Sequence, residues 1–304
     1  MSHLSFFWLN PEHNKLIKGI ESEFCNLVKT SIRNNQLTLP QIPTVLTRLQ
    51  QACLRKDITV REVANIVIDD PALTAKIIRT SNAVLFNRRN IVCNDLSTAI
   101  SRLGIMRVRD IATVQAIETL KFSYKKHEQC NKVLQHSAHR SRQLAGTMAL
   151  ICYSINQHPD SAEPLLPEKA LLTGLLADIG LFSLLSKYQL YLKNGNYLDL
   201  DAALFIFQEC CSDISPIILK HWGFDNDYQE VASNRKLYSN DHINYLDIAR
   251  MANHLLLMKN NDDAIHDHYI ELDLLGAEVM YELSQLELSE LNKQIHDIIK
   301  RCGI

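Results

Sequence analysis

The side chains best suited to chemistry in this sequence are two histidines, an arginine and an isolated aspartate. His136 and His139 are three residues apart in a segment with helical apolar spacing, and Arg140 follows them. Both imidazoles are therefore expected on one helix face. Asp178 lies in the most apolar stretch of the chain, residues 170–185. A buried carboxylate has to be neutralised, so these four residues form either a ligand site or a structural ion pair.

Few other patterns in the chain point to a cofactor or to catalysis. Two imidazoles on one face can bind a metal, but a stable site needs further donors. The eight cysteines include no C-x-x-C pair, which favours reduced thiols. Glycine-rich phosphate loops and a G-x-S-x-G elbow are also missing from the sequence. We predict no cofactor and no metal.

The elements that carry these residues are predicted to be helices. Nine glycines and eight prolines are few for 304 residues, which favours helices over turn-rich sheets. Thr59 to Glu62 fits a capping box, and Asp70-Pro71 fits a capped helix start. Apolar helices are predicted over 133–155 and over 167–185. The most apolar segment, residues 170–185, is too short to span a bilayer and contains Asp178, so it is expected in a protein core.

Charge is unevenly distributed along the chain. The net charge is −2, but residues 76–142 hold 13 Lys/Arg against 4 Asp/Glu, and residues 225–304 hold 7 against 15. A basic middle can attract an anionic ligand or the acidic tail. It also raises the hypothesis of nucleic-acid binding through its arginines, which are Arg88, Arg89, Arg102, Arg107 and Arg109. Few aromatic residues interleave with them, so a nucleic-acid partner is not expected.

Four short motifs in order resemble the HDOD family over about residues 37–236. They are Leu39-Pro40 to Ile42-Pro43 followed by Asp70 to Ala83, then Ala99 to Gly104, Leu175 to Gly180, and His221 to Phe224. The resemblance implies an all-α protein in which an HD-like helical bundle packs with a smaller N-terminal helical bundle. It also implies a regulatory role in bacterial signal transduction. The corresponding division is 1–125, which includes an extra first helix, and 126–304.

The resemblance also implies that a hydrolytic metal site has been lost. In the related HD phosphohydrolases, imidazoles and carboxylates from several helices bind divalent metals that activate water. The positions that match this site form a vestigial set with too few metal donors: His136, Ala177, Asp178, Cys211, Arg235 and Lys236. Alanine has no donor atom, a thiolate suits a hard metal site poorly, and two cations repel a metal.

The leading hypothesis is a non-catalytic HDOD-type regulatory protein that binds protein partners of a signalling pathway. A small anionic ligand in the vestigial pocket is a further expectation. The alternatives are a divergent metal-dependent phosphohydrolase or phosphodiesterase and a nucleic-acid-associated regulator. Residues 1–10 lack a basic start and a long apolar stretch, so we expect a cytoplasmic protein without membrane contact. The sequence leaves the oligomeric state open.

Overall fold

The computed structural model of the chain describes residues 23–34, 36–37, 40, 42–84, 86–87, 90–123, 128–158, 164–235, 242–267 and 270–302. Every regular element in these ranges is a helix, and no strand occurs in them. The prediction of an all-α fold is therefore confirmed.

Fourteen α-helices occur in the described ranges. They are α1 Glu23–Arg33, α2 Thr44–Cys53, α3 Val60–Val67, α4 Pro71–Ser81, α5 Leu96–Leu103, α6 Ile105–Ser123, α7 Glu128–Gln157, α8 Pro167–Leu176, α9 Leu181–Lys193, α10 Leu200–His221, α11 Asn226–Ser233, α12 Tyr245–Lys259, α13 Leu274–Gln285 and α14 Leu288–Cys302. Among described residues, contacts group 23–40 with 124–298 as a larger unit, and 41–123 with 299–302 as a smaller one.

The smaller unit begins its helices where the sequence predicts. The Thr59 hydroxyl accepts a hydrogen bond from the Glu62 amide at 3.2 Å, and the Glu62 carboxylate accepts one from the Thr59 amide at 2.9 Å. These two bonds complete the predicted capping box at the start of α3. Asp70 caps α4 through the Leu73 amide at 2.9 Å, with Pro71 in the first turn. The core of this unit is built from aliphatic side chains on α2 to α6.

The larger unit is built around α7, the longest described helix, and the short apolar helix α8 that packs on it. Gly174 on α8 lies so close to α7 that an added Cβ would be 2.6 Å from the Ala145 Cα and 2.9 Å from the Met148 sulfur. Only a residue without a side chain lets the two backbones approach this closely. This close packing fixes α7, which carries His136, against α8, which leads into Asp178.

Helix α1 packs on the larger unit through an aromatic cluster. The ring of Phe24 is buried, and its centroid lies 5.8 Å from Tyr188, 5.3 Å from Tyr191 and 6.3 Å from Phe207. Edge-on and tilted rings at these distances stabilise each other beyond their buried area. The sequence predicts this helix as part of the N-terminal division 1–125. Its contacts group it with helices of the larger unit. The predicted division into 1–125 and 126–304 stays a prediction.

The predicted continuous helix over 167–185 is wrong at one point. Helix α8 ends at Leu176, and α9 begins at Leu181 after a four-residue turn. In this turn the Ile179 amide donates to the Leu176 carbonyl at 3.1 Å, while the Gly180 amide donates to the hydroxyl of Ser215 on α10 at 2.9 Å. The ladder of i to i−4 bonds stops because a side chain from another helix takes this amide proton. Asp178 lies in the turn.

Two stretches in the described ranges are long and apolar enough to be candidate membrane spans, Pro167–Lys193 and Leu200–His221. The apolar window of the first is 89% buried inside the protein, and that of the second is 50% buried. Buried core helices have this composition without entering a membrane. The prediction that residues 170–185 lie in a protein core agrees with this burial.

Candidate functional site

Asp178 is the centre of the candidate site and is almost completely inaccessible, with 1% of its surface exposed. The hydroxyl of Ser137, which is also buried, donates a hydrogen bond to the Asp178 carboxylate. Ser137 is carried by α7, and the α7–α8 packing described above brings it to the turn after α8. A hydrogen bond to a buried carboxylate offsets part of the cost of removing that charge from water.

Helix α10 closes the site from another side. The Ser215 hydroxyl accepts from the Gly180 amide and lies 3.4 Å from the Cys211 sulfur. A Cβ added at Gly180 would be 2.8 Å from the Ser215 Oγ and 3.1 Å from the Cys211 carbonyl oxygen. The backbone of the turn is thus pressed against α10. The space beside Gly180 on this side is filled by atoms of Ser215 and Cys211.

The Cys211 thiol is fully buried, and its chemistry follows from that burial. Burial raises the pKa of the thiol far above its ordinary value; the hydrogen bond with Ser215 lowers it and the neighbouring Asp178 carboxylate raises it, both by less than burial does. The sulfur therefore carries its proton at neutral pH. Thiolate sulfur is a soft ligand, which suits the hard, oxygen-rich metal sites of hydrolytic enzymes poorly.

The donor set at these positions does not fit a catalytic divalent metal. Ala177 is fully buried and offers no donor atom, Asp178 accepts from Ser137, and Cys211 offers a soft sulfur in place of an imidazole or carboxylate. Within the described ranges, no group of three or more His, Cys, Asp or Glu side chains is arranged to hold a metal ion. A hydrolytic HD centre needs several such donors converging on one point.

His136 and His139 lie on the exposed side of α7, and the Arg140 side chain is half-buried beside them. Partial burial lowers the pKa of His136, and the positive charges of Arg140 and His139 lower it further. The three residues therefore form one electrostatic group, as their spacing predicts. The hydrogen bond that the structure shows for the Asp178 carboxylate comes from Ser137, the residue between His136 and Ala138 on α7.

The predicted cationic pair at the end of the vestigial set is only partly described. Arg235 is exposed, and its guanidinium pairs with Asp213 on α10. Lys236 lies outside the described residues. Arg235 is thus directed to a surface carboxylate and not toward the buried aspartate. The sequence predicts that Arg235 would repel a metal at the vestigial site. Its ion pair with Asp213 gives no support to that prediction.

Three of the five arginines behind the nucleic-acid hypothesis make contacts within the protein. Arg102 donates to the backbone carbonyls of Ser81 at 3.0 Å and Ile91 at 3.1 Å. Arg109 pairs with the neighbouring Asp110 at 2.7 Å. The Arg107 guanidinium stacks over the Phe86 ring, 4.9 Å from its centroid. The remaining two, Arg88 and Arg89, lie outside the described residues.

Sequence reasoning missed the two serines that organise the site. Ser137 donates to Asp178, and Ser215 accepts from Gly180. Serine inside a helix is ordinarily neutral or slightly unfavourable because it competes for backbone bonds. A serine between apolar neighbours on a core-facing helix side is the signal that could have pointed to both residues.

The sequence model of the HDOD domain matches residues 39–237. A crystal structure of a candidate metal-dependent phosphohydrolase from Shewanella amazonensis SB2B has 22% sequence identity and a TM-score of 0.70, covering 97% of this chain and 100% of its own. An HDOD domain protein with unknown function from Geobacter sulfurreducens has 15% identity and a TM-score of 0.52, with coverages of 91% and 97%.

A candidate signal transduction protein from Marinobacter aquaeolei VT8 has 16% identity and a TM-score of 0.50, covering 98% of this chain and 66% of its own. No curated protein matches the chain significantly. At these identities the solved structures establish the fold, and the matched domain extends over most of the chain, including Asp178 and the positions around it. The chain therefore belongs to the HDOD family.

Proposed function

We propose that this chain is a non-catalytic HDOD regulatory protein that works in cytoplasmic signal transduction by binding other proteins. The single observation that carries the proposal is that the Asp178 carboxylate is buried and accepts a hydrogen bond from Ser137. The preceding residue, Ala177, has no side-chain atom that could bind a metal. A hydrolytic aspartate has to reach a metal or a substrate, and this one is satisfied inside the protein.

The comparisons support the signalling half of the proposal at the level of the family. One of the solved relatives is described as a candidate signal transduction protein. The HDOD domain accounts for most of the chain. A regulatory protein without chemistry of its own has to act through its surface, so protein partners are part of the proposal.

A small anionic ligand has a different place from the one that the family site suggests. Ala177, Asp178 and Cys211 are buried, so a ligand cannot reach them without a rearrangement of the helices. The exposed face with His136, His139 and Arg140 is the accessible part of the region and carries the cationic side chain. Any ligand in the proposal binds there.

The competing function is a divergent metal-dependent phosphohydrolase. The fold shared with the Shewanella amazonensis protein favours it, as do the two imidazoles on one face of α7. It requires at least one more donor near His136 and His139, because two ligands do not hold a catalytic metal. The two functions differ in bound metal and in turnover, so a single preparation distinguishes them.

The first test is the metal content and the phosphodiesterase activity of the purified protein. Cells are grown with added iron, manganese and zinc, and the protein is analysed for metals and assayed with bis(p-nitrophenyl) phosphate. The proposal predicts less than about a tenth of an equivalent of metal and no turnover above a His136→Gln/His139→Gln control. One or two equivalents with turnover that the control lacks would overturn the proposal.

The regulatory role is tested by complementation in the organism that encodes the chain. Deletion of the gene is expected to alter the transcript profile, and an Asp178→Asn chain that folds is expected to restore it as fully as the wild-type chain. Asparagine keeps the shape and can still accept from Ser137 but cannot act as a general base. An unaltered profile after deletion contradicts a regulatory role, and a folded Asp178→Asn chain that fails to restore the profile contradicts a non-catalytic one.

A further inference from the structure

The smaller unit contains a half-open cavity of about 90 Å³. It lies where the first turns of α2 and α4 meet one face of α6. That face consists of residues three or four positions apart on the helix, which are Ala112, Gln115, Ala116 and Thr119. The two alanines leave space at this contact that longer side chains would fill. The cavity therefore follows from the residue types on α6.

The interior of the cavity is apolar. It is lined by buried side chains that belong to the core of the unit, among them Leu46, Leu73, Ala112 and Ala116. Displacing water from such a surface favours a ligand with a hydrocarbon part. A closed cavity of about 150 Å³ holds one benzene molecule, so this interior has room for about four carbon atoms. The opening leaves the end of such a ligand near the solvent.

The polar residues of the cavity are more exposed than the apolar ones and so border its opening. Asp70 and Gln115 are half-buried, and Thr119 is exposed. Asp70 is the one ionisable residue among those that line the cavity. One oxygen of its carboxylate accepts the hydrogen bond from the Leu73 amide that caps α4. The Gln115 side chain makes no hydrogen bond to any residue that the structure describes. Both side chains thus have acceptor oxygens to offer a ligand.

The charged residues that adjoin the cavity residues in sequence are paired with cations. Asp69, next to Asp70, forms an ion pair with Arg48 at 2.6 Å. Glu118, next to Thr119, lies 3.8 Å from the Lys76 ammonium. Within the described ranges, no cation lies at ion-pair distance from the Asp70 carboxylate. The cavity therefore carries one negative charge that the protein does not balance, and such a charge attracts cations.

We propose that this cavity binds a small organic ammonium ion with a short hydrocarbon chain. The chain occupies the apolar interior, and the ammonium group lies at the opening. There it donates hydrogen bonds to the Asp70 carboxylate and to the side-chain oxygen of Gln115. The cavity belongs to the smaller unit and Asp178 to the larger one. This inference therefore does not depend on the proposed regulatory function.

The test is an NMR titration of the full chain, labelled on its leucine and alanine methyl groups, with three ligands of equal length. With n-butylammonium, the methyl signals of the cavity residues are expected to shift saturably with a Kd of about 1–10 mM, as for a ligand of this size. With n-butanol, which lacks the charge, binding is expected to be about tenfold weaker.

Butanoate tests the opposite charge at the same site. The amides of the first turn of α2 carry only a fraction of a positive charge, whereas Asp70 carries a full negative one, so no saturable shift is expected. The proposal is overturned if n-butylammonium gives no saturable shift of the cavity methyl signals at about 100 mM. It is equally overturned if n-butanol or butanoate binds as tightly as n-butylammonium.

Variants locate the ligand. Asp70→Asn is expected to weaken n-butylammonium binding about tenfold and to leave n-butanol binding unchanged, because asparagine keeps the helix cap and loses the charge. The matched control is Asp95→Asn, since Asp95 caps α5 through the Thr98 amide at 2.8 Å and does not line the cavity. Ala116→Leu fills the interior and is expected to abolish binding of both ligands, in a chain whose thermal unfolding shows that it is folded. If Asp70→Asn binds n-butylammonium as tightly as the wild-type chain, or if Asp95→Asn weakens binding as much, the assignment of the site is wrong.

Discussion

Replacing Ser137 by alanine tests the central contact of the candidate site. The substitution removes the hydroxyl that donates to the buried Asp178 carboxylate and leaves the charge in place. Hydrogen bonds to charged groups contribute about 1.5–3 kcal/mol, and the loss is larger when the remaining group is buried. We therefore expect the free energy of unfolding to fall by about 2–3 kcal/mol. For a unit of this size, that corresponds to a melting temperature lower by about 4–12 °C.

The control is Thr147→Val on the same helix. Thr147 is also buried, and its hydroxyl donates to the Gln143 carbonyl at 2.8 Å, which is a bond within α7. Its loss is expected to cost about 1 kcal/mol or less, because that carbonyl belongs to the helix ladder and keeps its backbone partner. Calorimetry and urea unfolding of both variants measure the difference.

A double-mutant cycle with Asp178→Leu separates the hydrogen bond from simple packing. In the leucine background no carboxylate remains, so Ser137→Ala is expected to cost about 1–2 kcal/mol less than in the wild-type chain. Equal costs in the two backgrounds, or a Ser137→Ala loss no larger than that of Thr147→Val, would refute the reasoning that Ser137 stabilises a buried charge.

Three further predictions concern the surroundings of the site. Gly180→Ala is expected to destabilise the protein by about 1–3 kcal/mol in urea unfolding, because its Cβ would lie 2.8 Å from the Ser215 Oγ. Burial lowers the pKa of Lys169, but the hydrogen bonds that its ammonium donates to Asp225 and Asp227 raise that pKa overall. The stabilisation from Lys169 is therefore present below pH 10.5 and is lost as pH rises through the higher folded pKa. Lys169→Met is expected to lower stability at pH 7 and to flatten this alkaline loss in pH-dependent urea unfolding. The pKa of His136 is expected below 6.5 by NMR titration and to rise in Arg140→Gln, since a neighbouring positive charge is removed; an unchanged pKa would show that Arg140 does not act on it.

The parts of the fold that depend on local chemistry could be predicted from the sequence. Thr59 and Glu62 form their capping box because both partners lie within four residues, and Asp70-Pro71 starts a helix for the same reason. Gly104 ends α5 with a φ of +86°, a left-handed conformation that glycine adopts without strain. In each case, the residues that decide the structure are neighbours in the chain.

The parts that the sequence did not reveal depend on contacts between distant segments. The turn at 177–180 interrupts an unbroken apolar pattern because Ser215, 35 residues away from Gly180, takes its amide proton. The sequence points to charged partners for Asp178, and the structure adds a hydroxyl donor, Ser137, next to His136 on α7. Residue types and spacing indicate which buried polar groups need a hydrogen-bond partner. The packing of the helices decides which side chain provides it.

The burial of Ala177 limits how this protein can change over evolutionary time. Its side chain is fully enclosed at the end of α8, so a histidine at that position would have to displace packed neighbours, at a cost of about 1–3 kcal/mol. The imidazole would then meet a carboxylate already bonded to Ser137 and a protonated thiol at Cys211. If the chain is non-catalytic, as we propose, a hydrolytic centre at these positions would require several coordinated substitutions, each unfavourable before the others are present. Single substitutions on the exposed surface carry no such packing cost, so the surface is free to change while the interior around Ala177 is not.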